Sequence, residues 1–228
     1  MSTKGLTQQA FASEFIGTAM LLAAVVGSGI MGERLAGGNV AVALLANTLA
    51  TGAALVALIA TFVHRSGAHF NPLVTLTELA RKRLGLAAAG GYILAQVLGA
   101  MAGVVAAHYM FELPLLMESV RVRTGPHQWW SEIVASFGLL TVILNVAKTR
   151  PDAVSVAVGC YITAAYWFTA STSFANPAVT IARALTDTFS GIRPVDAPGF
   201  ILSQLVGAGL ATAFFIWLER DNLEQHHV

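Results

Sequence analysis

Two short segments pair an asparagine with a proline, and their chemistry is the most specific in this sequence. The first segment reads Asn71-Pro72-Leu73, and the second reads Asn176-Pro177-Ala178, 105 positions further along the chain. Asparagine is among the best residues for capping a helix N-terminus, and proline fits the first helical turn. Each segment therefore predicts the start of a helix whose capping asparagine keeps its amide NH2 for another partner.

The apolar stretch that follows each Asn-Pro pair is too short to cross a membrane. A helix of roughly ten residues is about 15 Å long, which is half of the hydrocarbon layer. We predict two half-helices that enter from opposite membrane faces and meet end to end at the midplane. Their N-termini place partial positive charge at one point, which opposes protons and cations but admits small neutral molecules with lone pairs.

Long apolar segments must position these half-helices, and the composition provides them. Of the 228 residues, 56% are hydrophobic and only 11% are charged, whereas a soluble domain carries about 25% charged residues. The mean hydropathy is +0.68.

The near balance of charge, thirteen Lys and Arg residues against twelve Asp and Glu residues, excludes nucleic acid as the main partner. The single cysteine, Cys160, is expected in the core and precludes both an intramolecular disulfide and a cysteine-based metal site. We expect no cofactor and no bound metal.

Six apolar segments are long enough to cross the membrane as helices. They are Phe11–Met31, Val40–Val63, Leu84–Met110, Ser131–Ala147, Ala153–Ala170 and Phe200–Leu218. An even number of spans puts both chain termini on one side of the membrane. Basic residues concentrate in the 2–3 connection at 81–83 and in the 4–5 connection at Lys148 and Arg150. The positive-inside rule then predicts that these connections and both termini are cytoplasmic.

An internal repeat extends beyond the two Asn-Pro segments. Ser13-Glu14 in the first span matches Ser131-Glu132 in the fourth, and the segment around Gln96 in the third span matches the segment around Gln204 in the sixth. Because three spans per half is an odd number, the two halves, at about 8–110 and 128–220, must be inverted across the membrane. The sequence predicts one transmembrane domain over residues 1–228. Its fold is all-α, with six transmembrane helices and two re-entrant half-helices in two inverted repeats.

Glu14 and Glu132 are carboxylates within predicted spans, where an ionisable residue is a functional candidate by default. They form a symmetric pair near the starts of their spans, so we expect them to accept hydrogen bonds from the loops that lead into the half-helices. Ion coupling in a secondary transporter, another protein class built from inverted repeats, is the alternative. The histidines at span ends and in loops lack metal-ligand spacing, which argues against a membrane enzyme.

Three segments together resemble the aquaporin and glycerol-facilitator family. They are Ser66-Gly67-Ala68-His69-Phe70-Asn71-Pro72, Asn176-Pro177-Ala178 and Glu14-Phe15-Ile16-Gly17-Thr18. The resemblance extends over the whole chain. It implies an aquaporin-like fold, a homotetramer in the lipid bilayer with one pore per subunit, small neutral solutes and water as permeants, and no enzymatic activity.

The departures from the family pattern concern the parts of the pore that select the solute. The first motif has Leu73 where the family has alanine, and Val179 stands directly after the second motif, where the family nearly always has a filter arginine. By spacing from the motifs, the other filter positions fall on Thr51, on Ser173 and on either Ala164 or Tyr166. The last position is open because counting back from the second motif and counting along the helix disagree by two residues.

A filter without the arginine is wider and lacks a fixed cation, so the expected solutes are glycerol-like polyols, with a water-selective aquaporin as the alternative. The segment Ser173–Val179, after the aromatic Tyr166-Trp167-Phe168, resembles a bacterial branch of the family that is linked to arsenic detoxification. That resemblance implies arsenite, other metalloid hydroxides or methylated arsenicals as cargo. It also implies a location in the bacterial plasma membrane.

Arg183 is a further candidate that no family motif marks. It lies four residues after Val179, so on a continuing half-helix it sits on the same face and about 6 Å nearer the outside. It either places a cation in the outer vestibule of the pore or serves as an interfacial anchor, alone or paired with Asp187.

Overall fold

A computed structural model describes residues 8–225, with side chains described as far as Glu219. Residues 1–7 and 226–228 of the predicted 1–228 domain lie outside the described part. Every regular element in the described part is a helix. In chain order they are α1 (Gln8–Leu35), α2 (Val40–Ser66), α3 (Pro72–Ala80), α4 (Leu86–Met110), α5 (Pro126–Thr149), a 3-10 turn (Pro151–Ala153), α6 (Val154–Phe168), α7 (Pro177–Arg183) and α8 (Ala197–Gln225).

Five of these helices are long and apolar enough to cross a membrane, namely α1, α2, α4, α5 and α8. The predicted fifth span, Ala153–Ala170, is shorter than expected. It consists of the 15-residue helix α6, which is about 22 Å long, preceded by the 3-10 turn that Pro151 begins. Thr169 adopts an extended backbone (φ −112°, ψ 138°) and ends the helix. The predicted third span also begins two residues late, at Leu86.

The two halves of the chain use the same helix pairings. In the first half α1 packs against α2 and α4, in the second half α5 packs against α6 and α8, and α2 packs against α6 between the halves. Two glycines permit the closest crossings. A Cβ on Gly99 would lie 2.3 Å from the carbonyl oxygen of Phe15, and a Cβ on Gly207 would lie 2.4 Å from that of Ile133. Equivalent small residues therefore set equivalent helix distances in the two halves.

The two Asn-Pro segments begin short helices, α3 with nine residues and α7 with seven, and the two helices contact each other. Both are shorter than the predicted ten residues. A loop segment, which we call the strap (residues 117–123), binds the two residues that directly follow α7. The amides of Met117 and Ser119 donate to the carbonyl oxygens of Leu185 and Ala184, at 3.0 and 3.1 Å.

The outer surface of the helix bundle is apolar, as expected of a protein surrounded by lipid. Large exposed hydrophobic side chains on the long helices include Met20, Leu49, Leu94, Leu98, Leu210 and Ile216. Cys160 belongs to this surface, so the prediction that it lies in the core was wrong. It stands on the face of α6 opposite the buried Val158 and Ile162, and an apolar sequence cannot distinguish a core face from a lipid face.

Candidate functional site

A cavity lies between the two halves and is lined by both Asn-Pro loops and by α1, α2, α5 and α6. Most of its wall is aliphatic, including Leu21, Val25, Leu55, Ile59, Leu139, Ile143, Val158 and Ile162. Its polar lining comes from Thr51, His69, Asn71, Tyr166, Ser173, Asn176 and Arg183. An apolar wall that carries a few hydrogen-bonding groups suits a small solute with both hydroxyl and hydrocarbon surfaces.

The two capping asparagines are tied to each other's loops. The Asn71 Oδ1 accepts from the Leu73 amide at 2.9 Å, and its Nδ2 donates to the Ala175 carbonyl at 2.8 Å. The Asn176 Oδ1 accepts from the Ala178 and Val179 amides at 3.0 and 3.3 Å. Its Nδ2 in turn donates to the carbonyl of Phe70 at 2.8 Å. The prediction that the whole amide NH2 serves the lumen therefore needs correction, because one N–H of each amide joins the two loops that precede the half-helices.

Glu14 holds the loop before α3. Its carboxylate accepts from the amides of His69 and Phe70, at 2.9 and 2.7 Å, and from the Ser66 hydroxyl at 2.6 Å. The Gln96 amide donates to the same carboxylate at 2.8 Å. These four hydrogen bonds satisfy a side chain that is fully buried, and they fix a loop in which Ala68 and Phe70 have positive φ angles of 51° and 48°.

Glu132 holds the loop before α7 in the same way. It accepts from the amides of Phe174 and Ala175, both at 2.9 Å, and from the Gln204 amide at 2.6 Å. Ser173 and Ala175 have positive φ angles of 50° and 44°, at positions equivalent to those in the first loop. A left-handed backbone at non-glycine residues is strained, so both loops depend on a buried carboxylate to keep their shape.

The predicted filter residues line the cavity, with one exception. Thr51, Tyr166, Ser173 and Val179 line the cavity and are buried, and the Tyr166 hydroxyl donates to the Thr51 hydroxyl at 3.3 Å. Ala164 is exposed and does not contribute to the cavity wall. The count along α6 thus places the wall residue, and the count back from the second motif fails because the intervening loop is shorter than assumed.

The remaining motif residues support the wall from behind. Leu73, Pro177 and Ala178 are buried but do not line the cavity. The larger side chain at Leu73 therefore packs into the core instead of narrowing the passage. His69, in the loop before α3, lines the cavity, and its Nδ1 lies 3.0 Å from the Thr75 hydroxyl.

Arg183 is the last residue of α7 and lines the cavity. Its side chain is only 2% exposed, its Nε donates to the carbonyl of Ser190, and its guanidinium carbon lies 3.4 Å from the ring centroid of Phe174. Asp187 accepts instead from the Val120 amide at 3.1 Å. The anchor alternative, in which Arg183 extends to the interface or pairs with Asp187, is therefore wrong.

Arg123 is a residue that sequence reasoning missed. It ends the strap, and its guanidinium carbon lies 5.0 Å from the same Phe174 ring. Burial, together with the positive charge of neighbouring Arg121, lowers the pKa of Arg123 to about 10, which leaves it a cation at neutral pH. The sequence carries no signal for this position, because the contacts of Arg123 depend on the path of the strap beside the loops before and after α7.

Comparison with known proteins agrees with this geometry. The family model described as "Major intrinsic protein" matches residues 1–153. The chain belongs to the major intrinsic protein family. Members of this family are membrane channels, so the chain is an integral, multi-pass membrane protein and not an enzyme.

Several relatives of this family are similar over most of their length. The aquaglyceroporin AqpS of Rhizobium meliloti (strain 1021) is 55% identical over 206 residues, which cover 90% of this chain and 88% of the relative. The aquaporin NIP6-1 of Arabidopsis thaliana is 30% identical, over 88% of this chain and 67% of the relative. The X-ray structure of the aquaglyceroporin from Plasmodium falciparum superposes with a TM-score of 0.74 at 20% identity, over 91% of this chain and 94% of that one. This last likeness shows the fold.

Proposed function

We propose that this channel conducts small neutral solutes that carry hydroxyl groups: glycerol-like polyols, arsenite and other metalloid hydroxides, and methylated arsenicals, with water also passing. The observation that carries the proposal is Val179 in the cavity wall directly after the second motif. A valine there leaves more room than an arginine and adds no charge, so the constriction formed with Thr51, Tyr166 and Ser173 passes solutes larger than water.

The chemistry of the wall supports hydroxylated solutes. Aliphatic side chains cover most of it and suit the hydrocarbon edge of a polyol, while hydroxyl and amide groups provide hydrogen bonds to replace those lost from water. Each of the amides of Asn71 and Asn176 has two N–H groups. One is used between the loops, and we infer that the other donates to the passing solute at the midplane.

The converging N-termini of α3 and α7 add partial positive charge at the same place, which repels protons and cations. We propose that Arg183 contributes a second barrier in the outer vestibule. Its buried guanidinium lines the cavity about one helical turn outside Val179. It thereby supplies a fixed cation near the filter without narrowing the constriction.

The alternatives have less support. A water-selective pore needs a narrow, charged filter, which the valine does not supply. A secondary transporter needs ionisable groups that bind and release a coupling ion. Glu14 and Glu132 are fully buried and occupied by amides and hydroxyls of the loops, which favours a structural role over ion coupling.

We further propose a homotetramer in the bacterial plasma membrane, with both termini in the cytoplasm and one pore per subunit. The exposed apolar residues of the long helices supply surface for both lipid and neighbouring subunits. The basic residues at 81–83 and at Lys148 and Arg150 lie in the two connections that must share a side with the termini.

The test is flux through purified protein in lipid vesicles, measured by stopped-flow light scattering with water, glycerol and arsenite. The proposal expects rapid glycerol and arsenite entry that does not saturate with concentration. Water flux without solute flux would favour the water-selective alternative, and saturable solute flux would favour a transporter.

A further inference from the structure

The strap is bound to the outer mouth of the pore by its main chain and by a close approach to Gly191. The carbonyl of Arg121 accepts from the Arg193 amide at 2.8 Å, and the amide of Arg123 donates to the Asp196 carboxylate at 2.8 Å. A Cβ on Gly191 would lie 2.3 Å from the Ser119 hydroxyl oxygen. It would also lie 2.4 Å from the carbonyl oxygen of Thr186, so glycine suits this crowded position beside the strap.

The side chain of Arg123 joins the segments on either side of α7. Its Nε donates to the carbonyl of Gly191 at 2.8 Å, beyond the helix, and its Nη1 donates to the carbonyl of Ser171 at 3.2 Å, before the helix. Arg183 donates to the carbonyl of Ser190, the neighbour of Gly191. The two guanidiniums thus bind consecutive carbonyls of one loop.

The two arginines also share the Phe174 ring. Their guanidinium carbons lie 3.4 Å (Arg183) and 5.0 Å (Arg123) from its centroid, and Phe200 packs edge-on against the same ring at 5.1 Å. A cation over an aromatic face is stabilised by the electrons of the ring. The shared ring therefore offsets part of the repulsion between two buried cations.

In the described part of the chain, no carboxylate forms an ion pair with the side chain of Arg123 or Arg183. Among the described side chains, the ion pairs join Arg81 to Glu78, Arg121 to Glu33, Lys148 to Glu219 and Arg193 to Asp196. The Asp196 carboxylate accepts a hydrogen bond from the main-chain amide of Arg123, but it pairs with the side chain of Arg193. Neither Arg123 nor Arg183 therefore has a carboxylate within ion-pair distance among the described side chains, and the buried carboxylate of Glu132 acts on both only from a longer distance.

We propose that Arg123 determines charge selectivity: it positions Arg183 through the shared ring and the Ser190-Gly191 carbonyls, and it adds a second cation to the outer mouth. Val179 stands where the family has its filter arginine. Arg123 and Arg183 instead exclude cations, from a position nearer the outer mouth than Val179. The inference rests on the proposed function, because it concerns which solutes a neutral-solute channel rejects.

The test compares potassium leak with glycerol flux in the same vesicles, with a potential-sensitive dye reporting the leak. Arg123→Gln is expected to raise potassium leak about tenfold while glycerol flux stays near that of the wild type. The matched control is Arg121→Gln, which removes a strap arginine that is 41% exposed and paired with Glu33, and which should leave the leak unchanged. Normal glycerol flux with no added leak in Arg123→Gln overturns the inference.

A second variant separates charge from folding. Arg123→Cys, in a Cys160→Ser background, is modified in reconstituted channels with a cationic or an anionic thiol reagent. The cationic adduct is expected to leak several-fold less potassium than the anionic adduct of the same folded protein, and equal leak overturns the inference. Absence of glycerol flux in the wild type itself would instead overturn the proposed function.

Discussion

The two half-helix regions share a scaffold but differ in charge: residues 66–80 form the inner region and residues 171–183 the outer region in the proposed orientation. Thr75 in α3 and Thr180 in α7 each accept from a buried glutamine, Gln96 or Gln204, at 2.9 Å. Each of these glutamines also donates to its glutamate, Glu14 or Glu132. The support behind the pore is therefore duplicated almost atom for atom.

The residues that line the cavity are duplicated in part: Asn71 matches Asn176 and Val74 matches Val179, whereas the aromatic and charged positions differ. At an offset of 105 positions, His69 in the inner region corresponds to Phe174 in the outer region, and Glu78 corresponds to Arg183. Glu78 is paired with Arg81 at 2.7 Å, so the inner charges cancel, whereas Arg183 has no carboxylate within ion-pair distance among the described side chains. The comparison teaches that the repeat preserves the hydrogen-bonded scaffold, and that the second copy alone carries an arginine in the cavity wall.

The largest expected effect comes from breaking the shared scaffold. Glu132→Gln replaces a carboxylate oxygen that accepts from Ala175 and Gln204, and each buried donor left unsatisfied costs about 1–3 kcal/mol. Glu14→Gln should cost a similar amount, because Phe70 and Gln96 lose the same acceptor. Thermal unfolding of the detergent-purified protein measures the loss of stability in both variants. Glu78→Gln, which removes one partner of a partly exposed pair, is the control and should cost less than about 1 kcal/mol.

The scaffold claim fails if Glu132→Gln unfolds at the wild-type temperature. It also fails if the two glutamate variants differ widely in their loss of stability.

Removing either capping asparagine should have the next largest effect. Asn71→Ala and Asn176→Ala each lose a helix cap, which is worth about 1 kcal/mol, as well as a bond across the midplane. We expect glycerol flux per correctly folded protein to fall several-fold and to a similar degree in both variants. Wild-type flux in both variants, at normal amounts in the membrane, would exclude the asparagines from the pore.

The difference in charge between the two half-helix regions predicts a smaller effect, on cation leak, from a substitution in the outer region only. Arg183→Gln should raise cation leak with neutral-solute flux preserved, because it removes a buried cation from the cavity wall. Glu78→Gln, at the equivalent inner position, should leave the leak unchanged. Measurements of membrane potential in vesicles with a potassium gradient test both variants. Equal cation leak through the two variants would contradict the proposed difference in charge selectivity between the two regions.

The smallest effect concerns the wall residue of α6. Tyr166→Phe removes the hydroxyl that donates to Thr51 at 3.3 Å, and we expect a change of about twofold in glycerol flux, since a long hydrogen bond is worth little. Ala164→Ser, on the exposed face of the same helix, is the matched control in the same stopped-flow assay. A larger effect from Ala164→Ser would refute this assignment of the wall.

How much was predictable depended on whether a feature is local. Asn71 and Asn176 predict the starts of the half-helices, because helix capping and proline geometry act within a few residues. The internal repeat predicts that the two halves are inverted. Choosing between Ala164 and Tyr166 required knowing the length of an irregular loop. Predicting that Cys160 is exposed required knowing which face of α6 points away from the core. Arg123 depends on the path of the strap and on Phe174, and no local rule connects positions so far apart.

The most direct test of the central claim, that the outer constriction is widened by Val179, is Val179→Arg. We expect glycerol and arsenite flux to fall about tenfold or more, while water flux falls much less, because the arginine narrows the passage and adds a charge there. Val179→Leu, an uncharged and slightly larger replacement, is the control and should reduce glycerol flux only modestly. Unchanged glycerol and arsenite flux through a folded Val179→Arg channel would contradict the account, because residue 179 would then not line the constriction.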